Sequence, residues 1–143
     1  MIRKNTFLLA ALVLLVTVCM FTGCKQELDA SIIGTWKSTY DETFVITDYS
    51  FSTPGDYGYA GIIKKIRDDG TDAGYITIQY TTHYDASHVN LYYVIHYKNL
   101  TSSTVDIAGA WLVDAGKTTQ ELAESTYTVA AGAFDLYSVC TRQ

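Results

Sequence analysis

Apolar and polar residues alternate along most of the chain beyond residue 33, and this period of two predicts β-strands. The clearest pair is 75–82 and 90–98. In the first segment Ile76, Ile78 and Tyr80 share one face, while threonine and glutamine side chains occupy the other. Both segments are typical of antiparallel strands with one buried face.

Strand signals recur about every 8 to 14 residues, with turn residues between them, which is typical of a β-sandwich or a barrel. The predicted strands are 34–40, 43–48, 57–67, 75–82, 90–98, 104–113 and 133–140. Thr53-Pro54-Gly55-Asp56 predicts a turn, because proline fixes φ at the second position and glycine permits a positive φ at the third. In 57–67, Ala60, Ile62 and Ile66 are assigned to one side, and Gly61 is a candidate bulge.

The periodicity changes near the C-terminus. Thr118-Thr119-Gln120-Glu121 fits a capping box, and apolar residues follow it at helical spacing. This pattern predicts a short helix over 119–126. The expected fold is therefore all-β: a single small antiparallel β-barrel of seven or eight strands with one short helix. Closure into a barrel is favoured because it leaves no strand edge unpaired.

The first residues of the chain show a different pattern. Arg3 and Lys4 precede an apolar run over 7–18. This order is typical of a secretory signal, and the run is shorter than the roughly 20 residues that span a bilayer. An uncleaved transmembrane anchor is the alternative.

Phe21-Thr22-Gly23-Cys24 resembles the bacterial lipobox in its looser, spirochaete-style form, with Phe21 in the place of the usual leucine. The resemblance implies cleavage before Cys24 and acylation of that cysteine. The chain would then divide into a signal peptide (1–23), a lipidated tether (24–31) and a β-barrel domain (32–143). Two or more acyl chains hold a protein stably on a membrane. Lys25, in place of an aspartate retention signal, implies the outer membrane, on its periplasmic or exposed side.

The charge balance narrows the possible partners. Without Arg3 and Lys4, 8 basic residues remain against 15 acidic ones, so a nucleic-acid partner is not expected. Cys19 lies in the predicted signal peptide and Cys24 would carry lipid, which leaves Cys140. We expect Cys140 to be a buried small side chain, with a reactive thiol or an intermolecular disulfide as the alternative.

The densest cluster of chemically active side chains is His83-Tyr84-Asp85-Ala86-Ser87-His88. His83, Asp85 and His88 are candidate zinc ligands, but their spacing matches no site pattern, and a solvated loop is the preferred interpretation. A triad with Ser87 lacks an oriented base. The acidic segment 68–72 lacks the ligand spacing of a calcium loop and predicts a hairpin turn. We therefore expect neither an enzyme, a metal site nor a cofactor.

Gly34-Thr35-Trp36 in the first predicted strand resembles the Gly-x-Trp motif of the lipocalin and calycin families. The resemblance implies that Trp36 closes one end of the barrel beneath an arginine from the end of the chain, for which Arg142 is the candidate.

Tyrosine is abundant, with 12 residues in the chain. The leading hypothesis is a lipid-anchored binding protein that holds a small apolar ligand inside the barrel, lined by Trp36, Tyr80, Tyr93 and Tyr97. One alternative is a surface module that binds a host or bacterial protein, as an adhesin or protease inhibitor, through the 83–88 loop and the Pro54 turn. The second alternative is an envelope protein without a specific ligand.

Overall fold

A computed structural model describes residues 31–111 and 116–143. In this part of the chain, eight antiparallel strands form a closed barrel, and one short α-helix follows the seventh strand. The strands are β1 (Gly34–Ser38), β2 (Thr43–Ile46), β3 (Ser50–Thr53), β4 (Tyr59–Asp68), β5 (Gly74–His83), β6 (Tyr92–Lys98), β7 (Thr104–Gly109) and β8 (Ser138–Arg142). The helix α1 covers Gln120–Thr126. The predicted all-β barrel with a short helix near the C-terminus is confirmed.

Each strand pairs with the next one in sequence, and β1 pairs with β8 to close the barrel. Because successive strands run in opposite directions, the connections alternate between two ends. The tryptophan end holds the start of β1, the turns 47–49, 69–73 and 99–103, and the C-terminus. The tyrosine end holds the connections 39–42, 54–58 and 84–91 and the segment that leads into β8.

The barrel interior is filled with large apolar side chains. Those with almost no exposed surface include Trp36, Ile46, Phe51, Ile76, Ile78, Tyr80, Ile95, Val105, Ile107 and Cys140. Burial, followed by the nearby negative charges of Glu42 and Asp106, raises the pKa of the Cys140 thiol to about 12. The expectation that Cys140 is a buried small side chain is confirmed, and its high pKa makes it a poor nucleophile.

A second apolar layer covers the outer face of β5 and β6. Thr77, Val94 and His96 alternate with the interior residues, yet all three are buried. Helix α1 packs against these two strands, and Ala123 of the helix is fully buried. The segment 133–137 lies over the same face. This outer layer explains why the two strands are apolar on both sides.

Two strands depart from the prediction. β3 was missed because its four residues contain a single apolar side chain, Phe51. The predicted strand 133–140 is wrong in its first half, since β8 begins at Ser138. Phe134 leaves the sheet and packs against the rings of Tyr75 and His96, at centroid distances of 6.0 and 5.3 Å.

In the long strand β4, the face predicted for Ile62 is wrong, whereas Ala60 and Ile66 lie opposite Thr82 and Ile76, in the register of the interior residues of β5. Register shifts between Ala60 and Gly61 and between Ile63 and Lys65 change which residues point inward. Gly61 and Ile63 lie opposite the interior residues Tyr80 and Ile78, while Ile62 is 47% exposed. The bulge expected at Gly61 is present. A bulge moves every later side chain to the opposite face, so alternation alone cannot place them.

Element ends account for the other errors. Tyr40 was assigned to the face of Trp36, but β1 ends at Ser38 and Tyr40 lies exposed in the following turn. Trp111 was grouped with Val105 and Ile107, but β7 ends at Gly109 and Trp111 is exposed. The end of the predicted strand 104–113 lies outside the described residues.

The helix begins one residue later than predicted. Its N-cap is Thr119, whose hydroxyl accepts a hydrogen bond from the Leu122 amide at 3.2 Å. The predicted capping box at Thr118 is wrong, because the residue three positions after the true cap is Leu122, which carries no side-chain acceptor.

Candidate functional site

Trp36 closes the end of the barrel at which the described chain begins. Its indole is fully buried and donates a hydrogen bond to the Ile32 carbonyl at 2.8 Å. The Arg142 guanidinium lies over the indole ring, 4.1 Å from its centre. The contact expected between Trp36 and Arg142 is confirmed.

Arg142 also ties the chain ends together. Its guanidinium donates hydrogen bonds to the carbonyls of Ile33 at 2.9 Å, Ser102 at 2.8 Å and Ser31. A β-carbon at residue 34 would lie 2.4 Å from Arg142 Nη1, so glycine is required at Gly34 for the arginine to cross the strand. The spacing of Gly34 and Trp36 thus has a physical cause. It makes room for the guanidinium above the indole.

The four side chains expected to line a ligand site all lie in the barrel core. Trp36, Tyr80, Tyr93 and Tyr97 are each less than a tenth exposed. Two of these residues, Tyr80 and Tyr93, contact each other and their aromatic neighbours at the tyrosine end. The ring contacts are Tyr80–Tyr93 at 5.3 Å, Tyr59–Tyr80 at 5.5 Å, Phe51–Tyr59 at 5.7 Å, Tyr59–Tyr93 at 5.8 Å and Tyr93–Tyr127 at 5.9 Å between centroids. Tyr59 and Tyr127 were not anticipated from the sequence.

Glycines in the wall accommodate these rings. A β-carbon at Gly109 would lie 2.4 Å from Tyr93 Oη, and one at Gly74 would lie 2.4 Å from Tyr97 Oη. Tyr93 Oη donates to the Ala110 carbonyl at 2.6 Å. Burial raises the pKa of Tyr93 well above its ordinary value, so the hydroxyl stays protonated. The wall and the interior are therefore fitted to each other at Gly109 and at Gly74. The barrel's own side chains fill the tyrosine end.

A cleft of about 310 Å³ opens at the tryptophan end. Its lining comprises Ser31, Ile32, Ile66, Asp68, Gly70, Thr71, Ala73, Tyr97 and Leu100. Among the four residues predicted to line a ligand site, Tyr97 also lines this open cleft. The cleft lies beside the first described residues and beneath the acidic 69–73 turn.

The 83–88 loop is held by its own hydrogen bonds. His83 Nδ1 accepts from the Asp85 amide at 3.0 Å, and Asp85 Oδ1 accepts from both the amide and the hydroxyl of Ser87, at 2.9 and 2.8 Å. Asp85 caps the 3-10 turn Ala86–His88. The Ser87 hydroxyl donates to Asp85 rather than to a histidine, so the loop does not form the Ser–His pair of a catalytic triad.

Within the described ranges, no group of three or more His, Cys, Asp or Glu side chains is arranged to hold a metal ion. Burial lowers the pKa of His83, which keeps this imidazole uncharged at neutral pH. The 68–74 hairpin is closed by a hydrogen bond from the Asp69 amide to the Ala73 carbonyl at 2.8 Å. Gly70 in this turn has a φ of 103°.

Exposed aromatic side chains cluster at the tyrosine end. Tyr57 is 83% exposed and Tyr84 is 63% exposed, and their rings meet edge to face at 5.9 Å. The other face of Tyr84 stacks on His83 at 4.3 Å, and His83 lies 4.5 Å from His88 between ring centroids. These residues form a continuous exposed surface of rings over the buried tyrosines.

A groove of about 520 Å³ lies between the β1–β2 turn and the segment before β8. Its lining residues are Tyr40, Glu42, Asp135, Leu136, Tyr137 and Ser138. Sequence patterns do not indicate this groove, because Glu42 and Asp135 come to line it together only through the pairing of β1 with β8. We call it the β1–β8 groove.

Comparisons with protein-family models, with curated proteins and with solved structures found no match to this chain. No helix in 31–111 or 116–143 has the length and apolar character needed to cross a membrane. Cys24 and the rest of the predicted signal and tether, apart from Ser31, lie outside the described residues.

Proposed function

We propose that this protein is a lipid-anchored, non-enzymatic envelope protein that binds a protein partner with the tyrosine end of its barrel. The observation that carries the proposal is the contrast between a filled interior and an exposed aromatic surface. Tyr59, Tyr80 and Tyr93 occupy the core of this end, while Tyr57 and Tyr84 are exposed above them.

The attachment of the tether supports this orientation. Arg142 binds the carbonyls of Ser31 and Ile33 at the tryptophan end, so a lipid on Cys24 would hold that end towards the membrane. The seven residue-to-residue steps from Cys24 to Ser31 span at most about 25 Å when extended. The tyrosine end, on the other side of the barrel, would then face away from the bilayer.

The exposed side chains suit recognition of a protein. Tyrosine combines a large apolar ring with a hydroxyl and is enriched among residues that dominate binding energy at interfaces. Tyr57 belongs to the loop that follows Pro54, and Tyr84 to the 83–88 loop, so two connections contribute to one surface. This arrangement favours the protein-binding alternative, as an adhesin or inhibitor.

The hypothesis of a small apolar ligand inside the barrel stays a prediction. A ligand pocket of this kind needs enclosed apolar space, and large rings already occupy the tyrosine end. Native mass spectrometry of the full chain in detergent tests the hypothesis. We expect the mass of the lipidated protein alone, whereas an additional mass of a few hundred daltons that is lost on denaturation would favour the carrier.

Lipidation is tested by metabolic labelling with an alkyne analogue of palmitate in a bacterial host. We expect the full chain to incorporate the label and to fractionate with the outer membrane. Cys24→Ser should lose the label, and Cys140→Ser, the matched control, should keep it. Equal labelling of the two variants would contradict an anchor at Cys24.

Site-specific photo-crosslinking tests the binding surface on intact cells. A photoreactive phenylalanine at position 57 or 84 should give a discrete adduct with one protein. The control position is Tyr49, which is 71% exposed at the tryptophan end. Adducts that are equally strong from position 49, or absent from positions 57 and 84, would overturn the proposed surface.

A further inference from the structure

We infer that the β1–β8 groove receives a lysine or arginine side chain of a protein partner. The inference rests on the proposed function for the source of that side chain, and on the groove's own geometry for its chemistry. Tyr40 and Leu136 form two walls, 77% and 76% exposed, and Glu42 and Asp135 supply carboxylates. The occupant must combine an apolar stem with a positive head.

The two carboxylates have no cationic partner in the described part of the chain. Neither Glu42 nor Asp135 lies within 4.0 Å of a lysine, arginine or histidine nitrogen there. Lys37 is paired with Asp41 at 2.6 Å. Glu42 instead accepts a hydrogen bond from the Ser138 hydroxyl at 2.7 Å, which fixes its carboxylate against β8. The groove therefore presents two carboxylates without a cationic partner in the described residues, and the Glu42 carboxylate is already oriented as an acceptor.

Acidic side chains predominate in the connections nearest the groove. The connections 39–42, 54–58, 84–91 and 133–137 contain five Asp or Glu residues and no Lys or Arg. Lys98 lies over the Tyr137 ring, with Nζ 3.7 Å from the ring centre. Burial and the neighbouring Tyr75 raise the pKa of Tyr137, and the negative charges of Asp106 and Asp135 add to this shift.

The walls select a long basic side chain over a bare ion. The methylene stem of lysine or arginine packs on apolar surface while its charged head stays polar. A guanidinium also stacks on aromatic rings and binds carboxylates with a planar fork. A volume of about 520 Å³ is ample for one such side chain and its neighbours in a loop. The groove belongs to the tyrosine end, so one partner can contact both the groove and the Tyr57–Tyr84 surface.

The test uses the full-length protein in nonionic detergent and a fluorescent peptide of alternating glycine and arginine. Fluorescence polarisation gives its affinity, and a glycine–serine peptide of the same length controls for nonspecific binding. Glu42→Gln with Asp135→Asn removes both charges while keeping the shapes of the side chains. Asp48→Asn with Asp72→Asn removes the same net charge at exposed positions of the tryptophan end, and circular dichroism checks that each variant is folded.

We expect the groove variant to weaken peptide binding at least about tenfold, and the charge-matched variant to change it by no more than about twofold. Equal weakening by both variants, or binding that is unchanged in the groove variant, overturns the inference. Equally tight binding of the glycine–serine peptide also overturns it.

The crosslinking experiment separates this inference from the proposed function. If positions 57 and 84 still give their adduct with undiminished yield in the Glu42→Gln, Asp135→Asn variant, the protein-binding surface stands and the groove inference fails. If the arginine peptide binds the groove but cells yield no adduct, the cation site stands and the proposed surface fails.

Discussion

The two ends of the barrel are built in opposite ways. At the tryptophan end, Arg142 covers the indole of Trp36 and donates to three backbone carbonyls, so each polar group of the guanidinium has a partner within the chain. At the tyrosine end, large rings fill the interior, while Tyr57 and Tyr84 remain exposed and the carboxylates of the β1–β8 groove face solvent.

Under the proposed function, the tryptophan end serves stability and the tyrosine end serves recognition. At the tryptophan end, the guanidinium of Arg142 satisfies its hydrogen bonds within the chain. The tyrosine end keeps aromatic and charged groups available, and the filled core beneath supports them on a rigid base. The predictions below test this separation, beginning with the largest expected effect.

Removal of the Trp36 side chain should cause the greatest loss of stability. Trp36→Ala is expected to lower the free energy of unfolding by about 3–5 kcal/mol, because a fully buried indole is replaced by a cavity. Trp111→Ala is the matched control, and its exposed ring should contribute less than about 0.5 kcal/mol. Denaturant titration followed by circular dichroism measures both. Similar losses from the two variants would break the comparison.

Arg142→Lys tests whether the guanidinium itself is required. We expect a loss of about 1.5–3 kcal/mol, since lysine keeps the charge but cannot donate to three carbonyls in the same geometry. Arg67→Lys is the control. Arg67 lies over Tyr75 on the outer wall, 4.4 Å from the ring centre, and lysine preserves such a contact. Thermal unfolding of both variants should show a large fall in melting temperature for Arg142→Lys and little change for Arg67→Lys.

Gly109→Ala probes how closely the wall fits the interior at the tyrosine end. The added methyl would overlap Tyr93 Oη, and we expect a loss of about 1–3 kcal/mol. Adding Tyr93→Phe removes the obstructing hydroxyl. The double variant should therefore lose less than the sum of the two single losses, by about 0.5–1 kcal/mol in a thermodynamic cycle. Strict additivity would indicate spare space inside the barrel.

The smallest expected effect is a pH dependence of stability that arises from His96. This residue lies under the 133–137 segment, which forms one wall of the β1–β8 groove. His96 is buried beneath Phe134 and accepts or donates a hydrogen bond with the Tyr137 hydroxyl at 2.9 Å. Burial lowers the pKa of His96, although the Asp69 carboxylate, 3.7 Å from Nε2, opposes the shift and Lys98 adds to it. The folded pKa therefore lies below the unfolded one.

The sign of the pH dependence follows from this direction. A histidine with a lowered pKa adds stability that is complete above its unfolded pKa and is lost as the pH falls through that value towards the folded pKa. We expect the wild type to lose stability between about pH 7.5 and about pH 5.5, and His96→Phe to lose less. The pKa of His83 is lowered too, so part of the loss should remain. An unchanged slope in His96→Phe would contradict the prediction.

Local pattern was sufficient for most strands and for the helix. The alternation over 75–82 and 90–98 matches β5 and β6 to within two residues at each end, because both strands carry a continuous interior face. The alternation failed to predict structure where a segment's conformation depends on contacts with residues that are distant in sequence. Ser50–Thr53 becomes a strand through its pairing with β4, and Phe134 leaves the sheet because the outer face of β6 needs covering.

The sequence by itself determined the β-rich class of the domain, the interior position of Tyr80, Tyr93 and Tyr97, and the candidacy of Arg142 as the partner of Trp36. Each depends on local periodicity or on a short motif. Only the tertiary structure decided how the barrel closes, which face of β4 points inward, and that Glu42 and Asp135 share a groove. These depend on strand register and on contacts between distant residues, and a one-residue bulge is enough to change which side chains reach the surface.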